Sequence, residues 1–296
     1  MFHLWMPVSG SQFELFFVRI AYVGVDLFFF LSAYSLADKN IPYAELLKNR
    51  FGNIYCKYVV FAFVAMLYQG FGIVRLLKIL TFAELFSRGG GSFLWFIPAI
   101  MILYLIYPLY CRWNAKHKGM IVLVLWLVIS IVLEHVFGYK KIFIFTNRIP
   151  VILAGHYFKT HQVKAWQGLA GIPAGLLLLN RLGNTKKLNV PFYEFYFVLG
   201  IVLVIGMVSL SAYVKETKFM RILGSATIEI YAIQMIFGVA ILNLFYRLTG
   251  NKLATNLLTI CAVWAISLIC SHVAYFISKK TGRKTYDEKS EESGES

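Results

Sequence analysis

Nine apolar runs, most of them long enough to cross a bilayer, divide this chain of 296 residues and leave little between them. They lie at about 13–37, 54–74, 93–111, 119–137, 142–158, 165–180, 192–214, 222–246 and 253–277. A spanning helix needs roughly 20 apolar residues. Inside lipid every backbone N–H and C=O must also be satisfied within the segment, which a helix achieves alone. The chain therefore reads as all-α, a polytopic transmembrane helix bundle of about nine spans. The runs at 142–158 and 165–180 are short and suit tilted, partial or re-entrant helices. Only 15% of residues are charged, against roughly 25% in a soluble domain. A soluble enzyme, a disordered chain and a disulfide-stapled secreted domain are excluded. Cys56, Cys111, Cys261 and Cys270 form no CxxC pair and read as buried thiols, without a disulfide framework or zinc site. No basic n-region and small-residue cleavage site mark a cleavable signal peptide.

Charge sets the orientation. The formal net charge is +15, but the basic residues sit in short connectors and form no continuous face, which argues against nucleic acid and for anionic headgroups. Taken alternately, the connectors carry 17 Lys and Arg on one side and 10 on the other. The richer side, which includes the polar tail 279–296, is expected to be cytoplasmic, and that tail is expected to be disordered. The domain proper then covers 1–278. Nine spans with the C-terminus inside leave the N-terminus outside, yet residues 1–7 resemble the last two turns of an apolar helix. The expectation is that the chain begins within a truncated first helix, the alternative being a partly apolar N-terminal segment. Between 74 and 93, an amphipathic stretch at 75–86 is expected along the interface, followed by a flexible glycine loop at 87–92.

Arg19 and Arg148 are the two basic residues that fall inside apolar runs. An arginine at membrane depth costs at least about 2.5–3.5 kcal/mol and usually faces a bundle interior or aqueous cavity. Arg19, Tyr22 and Asp26 share a helix face, so an internal Arg19–Asp26 ion pair is one reading and a polar site wall is the other. Arg148, in Asn147-Arg148-Ile149-Pro150, either snorkels to the outer headgroups or stabilises developing negative charge. His156 and His272 suit hydrogen-bonded positions in the bundle, and His3 alone reads as a frayed terminal residue. Tyr231 and Gln234 share a face, with Glu229 on another, as polar glue between helices or as site residues. No HExxH, GxSxG or Walker loop occurs, and no metal site is expected.

Several stretches together resemble the acyltransferase 3 family of integral-membrane O-acyltransferases. Gly24-Val25-Asp26-Leu27-Phe28-Phe29-Phe30-Leu31-Ser32-Ala33-Tyr34 is similar to the family's GVDLFFxLSGY stretch. Phe93-Leu94-Trp95-Phe96-Ile97-Pro98, with Tyr104 and Pro108, resembles its LWFLP helix. The segment from Arg148 to Gly155 resembles its RxPxFxxG pattern. Leu223-Gly224-Ser225 with Ile230-Tyr231-Ala232-Ile233-Gln234 resembles its late LG…S…IYLIH helix. The order holds over nearly all of 3–277. His3 stands where the family ends its first helix with a histidine, and the arginine about ten residues earlier would lie upstream of Met1. Gln234 replaces a frequent His, Ala33 a Gly, and Asn53 and Cys56 replace the Arg and Pro of a cytoplasmic RxxRxxPxY stretch that keeps Arg50.

The resemblance implies transfer of an acyl group, acetyl foremost, from acyl-CoA to a hydroxyl of a bacterial envelope carbohydrate or lipid-linked glycan. It implies His3 as general base, Asp26 as its orienting group and Arg148 as oxyanion partner. It places Arg19, Trp95, Tyr231 and Gln234 at the substrate and has Arg50 and Lys57 attract the donor, although Arg50 reads equally as an ordinary cytoplasmic charge. Acetyl-CoA or another acyl-CoA is a co-substrate, with no bound cofactor. The expected partners are membrane lipids, acyl-CoA and a carbohydrate acceptor, and the expected location is the inner (plasma) membrane. A transporter or flippase of a glycan-type substrate is the alternative, with Arg19, Asp26 and Arg148 lining its path. The lack of internal repeats argues against it, and a structural bundle without activity is the third reading.

Overall fold

Among the described residues every regular element is a helix, as chains that must satisfy their own backbone require. The structure is a computed structural model that describes residues 4–9, 14, 23–37, 43–46, 48, 51–117, 128, 132, 148–161, 164–175, 177 and 192–280. It forms two compact units, Tyr22–Lys215 on the one hand and Met1–Ala21 with Glu216–Ser296 on the other.

Among the described residues of the larger unit the helices are, beside the short helix Tyr43–Leu46, α1 (Val23–Leu36), α2 (Gly52–Gln69), α3 (Ile73–Leu80), α4 (Ala83–Arg88), α5 (Phe96–His117), α6 (Ile149–Thr160), α7 (Ala165–Leu169) and α8 (Phe192–Ser211). The most apolar stretch of α1 explains its place: it packs on α5, α6 and α8, with Phe29 and Phe30 wholly buried. Phe29 meets Phe96 of α5 edge-on at 5.2 Å, and Phe30 meets Phe158 of α6 at 5.8 Å. These contacts fix the three-helix neighbourhood α1–α5–α6 in which the buried charges lie.

The amphipathic stretch folds back on α2. Leu76 and Ile79 of α3 are buried, while Ile73, Val74 and Leu77 are exposed. Tyr58 and Tyr55 of α2 donate to the carbonyls of Ile79 and Leu80, each at 3.2 Å. The expected flexible glycine loop is instead a held turn: Arg88 ends α4 and Gly89–Gly91 form one 3-10 turn. The cause is Glu84, which is buried and accepts from Arg75 Nε at 2.8 Å, Arg88 Nη1 at 3.3 Å and the Phe93 amide at 2.9 Å. One carboxylate thus ties both ends of the glycine stretch to the entry of α5.

The smaller unit holds α9 (Lys218–Ser225), α10 (Thr227–Thr249) and α11 (Lys252–Lys280). The apolar run expected at 222–246 is divided at Ala226, whose amide turns to the carbonyls of Leu223 and Gly224, three and two residues back. The Thr227 hydroxyl donates to the Gly224 carbonyl at 2.7 Å, so local side-chain bonding competes with a continuous helix there. Asn251 caps α11 by accepting from the amides of Leu253 and Ala254. Thr227–Thr249 and Lys252–Phe276 are long and apolar enough to cross a membrane, and Gly24–Leu36, Phe96–Tyr107 and Ile201–Ser211 are shorter apolar helices. Helix α11 continues through Lys280, and 281–296 lie outside the described residues, as do the apolar run at 119–137 (apart from residues 128 and 132) and the first part of that at 142–158. The reading of the cysteines as buried needs correction: Cys56 and Cys261 are exposed, and Cys111 and Cys270 are half-buried. On helices this apolar, an outward-facing thiol has the same hydrocarbon surroundings as its neighbours, so hydropathy alone does not set its burial.

Candidate functional site

Two of the sequence-derived site residues meet inside the larger unit. Asp26 projects from the first turn of α1. Arg148 immediately precedes α6, where Pro150 at the second helical position favours the helix start. Both are buried, 2% and 4% exposed, and Arg148 Nε lies 2.9 Å from Asp26 Oδ1. Among the described residues neither atom has a partner in well-directed hydrogen-bond geometry, so charge rather than a linear N–H···O bond holds the contact. Arg19, the other reading's partner for Asp26, lies outside the described residues. Arg148 does not snorkel; it turns inward to a carboxylate. Removing one member of such a pair leaves the other as an uncompensated buried charge, a loss of about 3–5 kcal/mol.

Below the pair the two helices touch backbone to backbone. A Cβ on Gly155 of α6 would collide with the carbonyl oxygen of Phe30 on α1. Only a glycine admits this approach, which is the physical content of the Gly at the end of the RxPxFxxG-like segment. Beyond the crossing lies a second polar layer. The Tyr107 hydroxyl of α5 donates to the Ala33 carbonyl at 3.1 Å and is 2.8 Å from His156 Nδ1 of α6. With the tyrosine proton given to Ala33, His156 Nδ1–H is the donor to the tyrosine oxygen. The Ala33 carbonyl is one of the last four of α1, which have no partner within their own helix. The Tyr104 hydroxyl donates to Ser32 Oγ at 3.2 Å, and Cys111 Sγ is 3.9 Å from His156 Nδ1.

The remaining sequence-derived residues are placed as follows. Lys57 is half-buried near the start of α2, and Trp95 is half-buried just ahead of α5, its ring edge-on to Phe96 at 6.5 Å. Tyr231 and Gln234 belong to α10 in the smaller unit, where Gln234 and Glu229 are buried and Tyr231 is half-buried. His3 and Arg50 lie outside the described residues. His156 takes the hydrogen-bonded bundle position expected of it. Tyr107 was not singled out, although tyrosines at 104, 107 and 110 recur every third residue, a one-faced stripe visible in the sequence. Among the described residues no set of three His, Cys, Asp or Glu is grouped to hold a metal.

Neither the curated proteins nor the solved structures compared with this chain gave a match. A family model described as an acyltransferase domain matches residues 1–276, nearly the whole sequence and all of the geometry described above. The chain belongs to the acyltransferase 3 family and is a membrane O-acyltransferase.

Proposed function

We propose that the enzyme moves an acetyl group, or another short acyl group, from acyl-CoA to a hydroxyl of an envelope carbohydrate or lipid-linked glycan. The buried Asp26–Arg148 pair carries this reading, because an acyltransferase of the membrane gains from a fixed cation where an oxyanion develops. His3 takes the proton of the acceptor hydroxyl, whose oxygen attacks the thioester carbonyl. Arg148 faces the developing oxyanion through its terminal nitrogens while Asp26 meets Nε and fixes the guanidinium. The C–S bond then breaks, the C–O bond is complete, and the proton passes to the departing CoA thiolate. Arg50 and Lys57 draw the donor from the basic cytoplasmic side, and Arg19, Trp95, Tyr231 and Gln234 contact the substrates. Nine spans in the inner (plasma) membrane, with the C-terminal tail in the cytoplasm, give the two substrates opposite entries.

Transfer of labelled acetyl from acetyl-CoA to envelope polymer tests this in membranes holding the chain, its His3→Ala variant or its Arg148→Met variant. Label incorporation by the parent, lost in both variants, is the expected result. Movement of an unmodified glycan across vesicles without acyl-CoA would instead identify a transporter.

A further inference from the structure

The segment that follows His3 is fastened at three points within the smaller unit. The Asn256 side chain of α11 pairs with the backbone of Met6 in both directions: Met6 N donates to Oδ1 at 2.9 Å and Nδ2 donates to Met6 O at 2.8 Å. Asn256 is only 2% exposed, so this two-way bond sits where water competes little. Leu4 occupies the space that a side chain at Gly238 of α10 would need, since a Cβ there would collide with its Cδ1. Glu14 then gathers the next turn, accepting from Trp5 Nε1 at 2.7 Å, the Val8 amide at 2.6 Å, and the Ser9 amide and hydroxyl at 2.9 and 3.0 Å.

From these contacts we infer that Asn256 and Gly238 are positioning residues: they fix Leu4–Ser9 against α10 and α11 and so set where the chain places His3. The inference rests on the reading of His3 as the base. A frayed end does not use a buried amide to read a single peptide group, nor leave a glycine-sized seat for the residue beside it. General-base catalysis needs its nitrogen within hydrogen-bond reach of one hydroxyl, and a displacement of about 1 Å lowers the rate by roughly a hundredfold. Asn256 is suited to this because one planar amide supplies a donor and an acceptor at the spacing of a peptide's own pair.

The test uses the full chain in membranes, with acetyl-CoA as donor, and compares Asn256→Ala, Asn256→Asp and Gly238→Leu with the parent and with His3→Ala. Two quantities are read: hydrogen exchange of the amides at 4–9, and kcat and KM for transfer. Asn256→Ala should speed exchange at 4–9 while leaving that of α11 unchanged, and lower kcat by about a hundredfold at constant donor KM. Asn256→Asp, which keeps the acceptor but loses the donor, should fall between. Gly238→Leu should act through Leu4 in the same way, and His3→Ala should add little on top of Asn256→Ala. Faster exchange at 4–9 with an unchanged kcat overturns the inference alone. Full turnover by His3→Ala overturns the base assignment and the inference together.

Discussion

Among the described residues of the larger unit, two arginine–carboxylate sites are built on opposite principles. At Glu84, one buried carboxylate serves two partly exposed arginines and a backbone amide, so its oxygens are occupied by directed donors. At Asp26, one buried carboxylate faces one buried arginine, and the close contact lacks linear hydrogen-bond geometry. The first arrangement is what holding a turn requires: water screens the arginines, and the carboxylate is satisfied wherever they move. The second is a poor way to hold two helices, since apolar residues of the same shape would do so as well or better. On the proposed reading the paired charge serves the transfer step, and the double substitution below separates that role from stability.

Substitutions can break or sharpen that contrast. The largest effect is expected from Arg148→Met, which leaves Asp26 buried alone: a loss of about 3–5 kcal/mol in thermal unfolding of the purified enzyme and of acetyl transfer by about a hundredfold or more. Combining it with Asp26→Leu should recover most of the stability while transfer stays lost. Recovery of both would reduce the pair to a strut. Gly155→Ala should destabilise by about 1–3 kcal/mol, because the new methyl meets a backbone oxygen that cannot rotate away. Tyr107→Phe removes the donor to Ala33 and the acceptor for His156, with an expected loss of about 1–3 kcal/mol. Smallest is Glu84→Gln, about 1 kcal/mol, since its arginines can turn to water. Its transfer rate should match the parent's, and a large fall would place the Glu84 turn in the site as well.

How much of this was legible in advance differs by level. Helical class follows from the apolar runs, and Asp26 and Arg148 stood out because lipid penalises charge wherever it falls. Their pairing was not readable: periodicity shows that Arg19 and Asp26 share a helix face, but not which other helix faces them. The partner comes from a segment more than a hundred residues away. The break at Ala226 escaped notice for the opposite reason, since threonine and serine bonds to nearby carbonyls leave hydropathy unchanged. Gly238 gave no signal at all, because its meaning lies in Leu4, more than two hundred positions earlier.

The crossing at Gly155 limits α1 and α6 to a single notch. Sliding α6 by one helical turn would bring Val151 or Lys159 beneath the Phe30 carbonyl, where neither has room. Half-turn slips would rotate the ring of Phe158 off Phe30 and Arg148 off Asp26 together. The helices cannot drift by small amounts and keep the ion pair: they are seated or they are apart. Any variant that retains the pair has retained the whole alignment from Asp26 to Ala33, and for that reason the one distance between Asp26 and Arg148 reports on all of it.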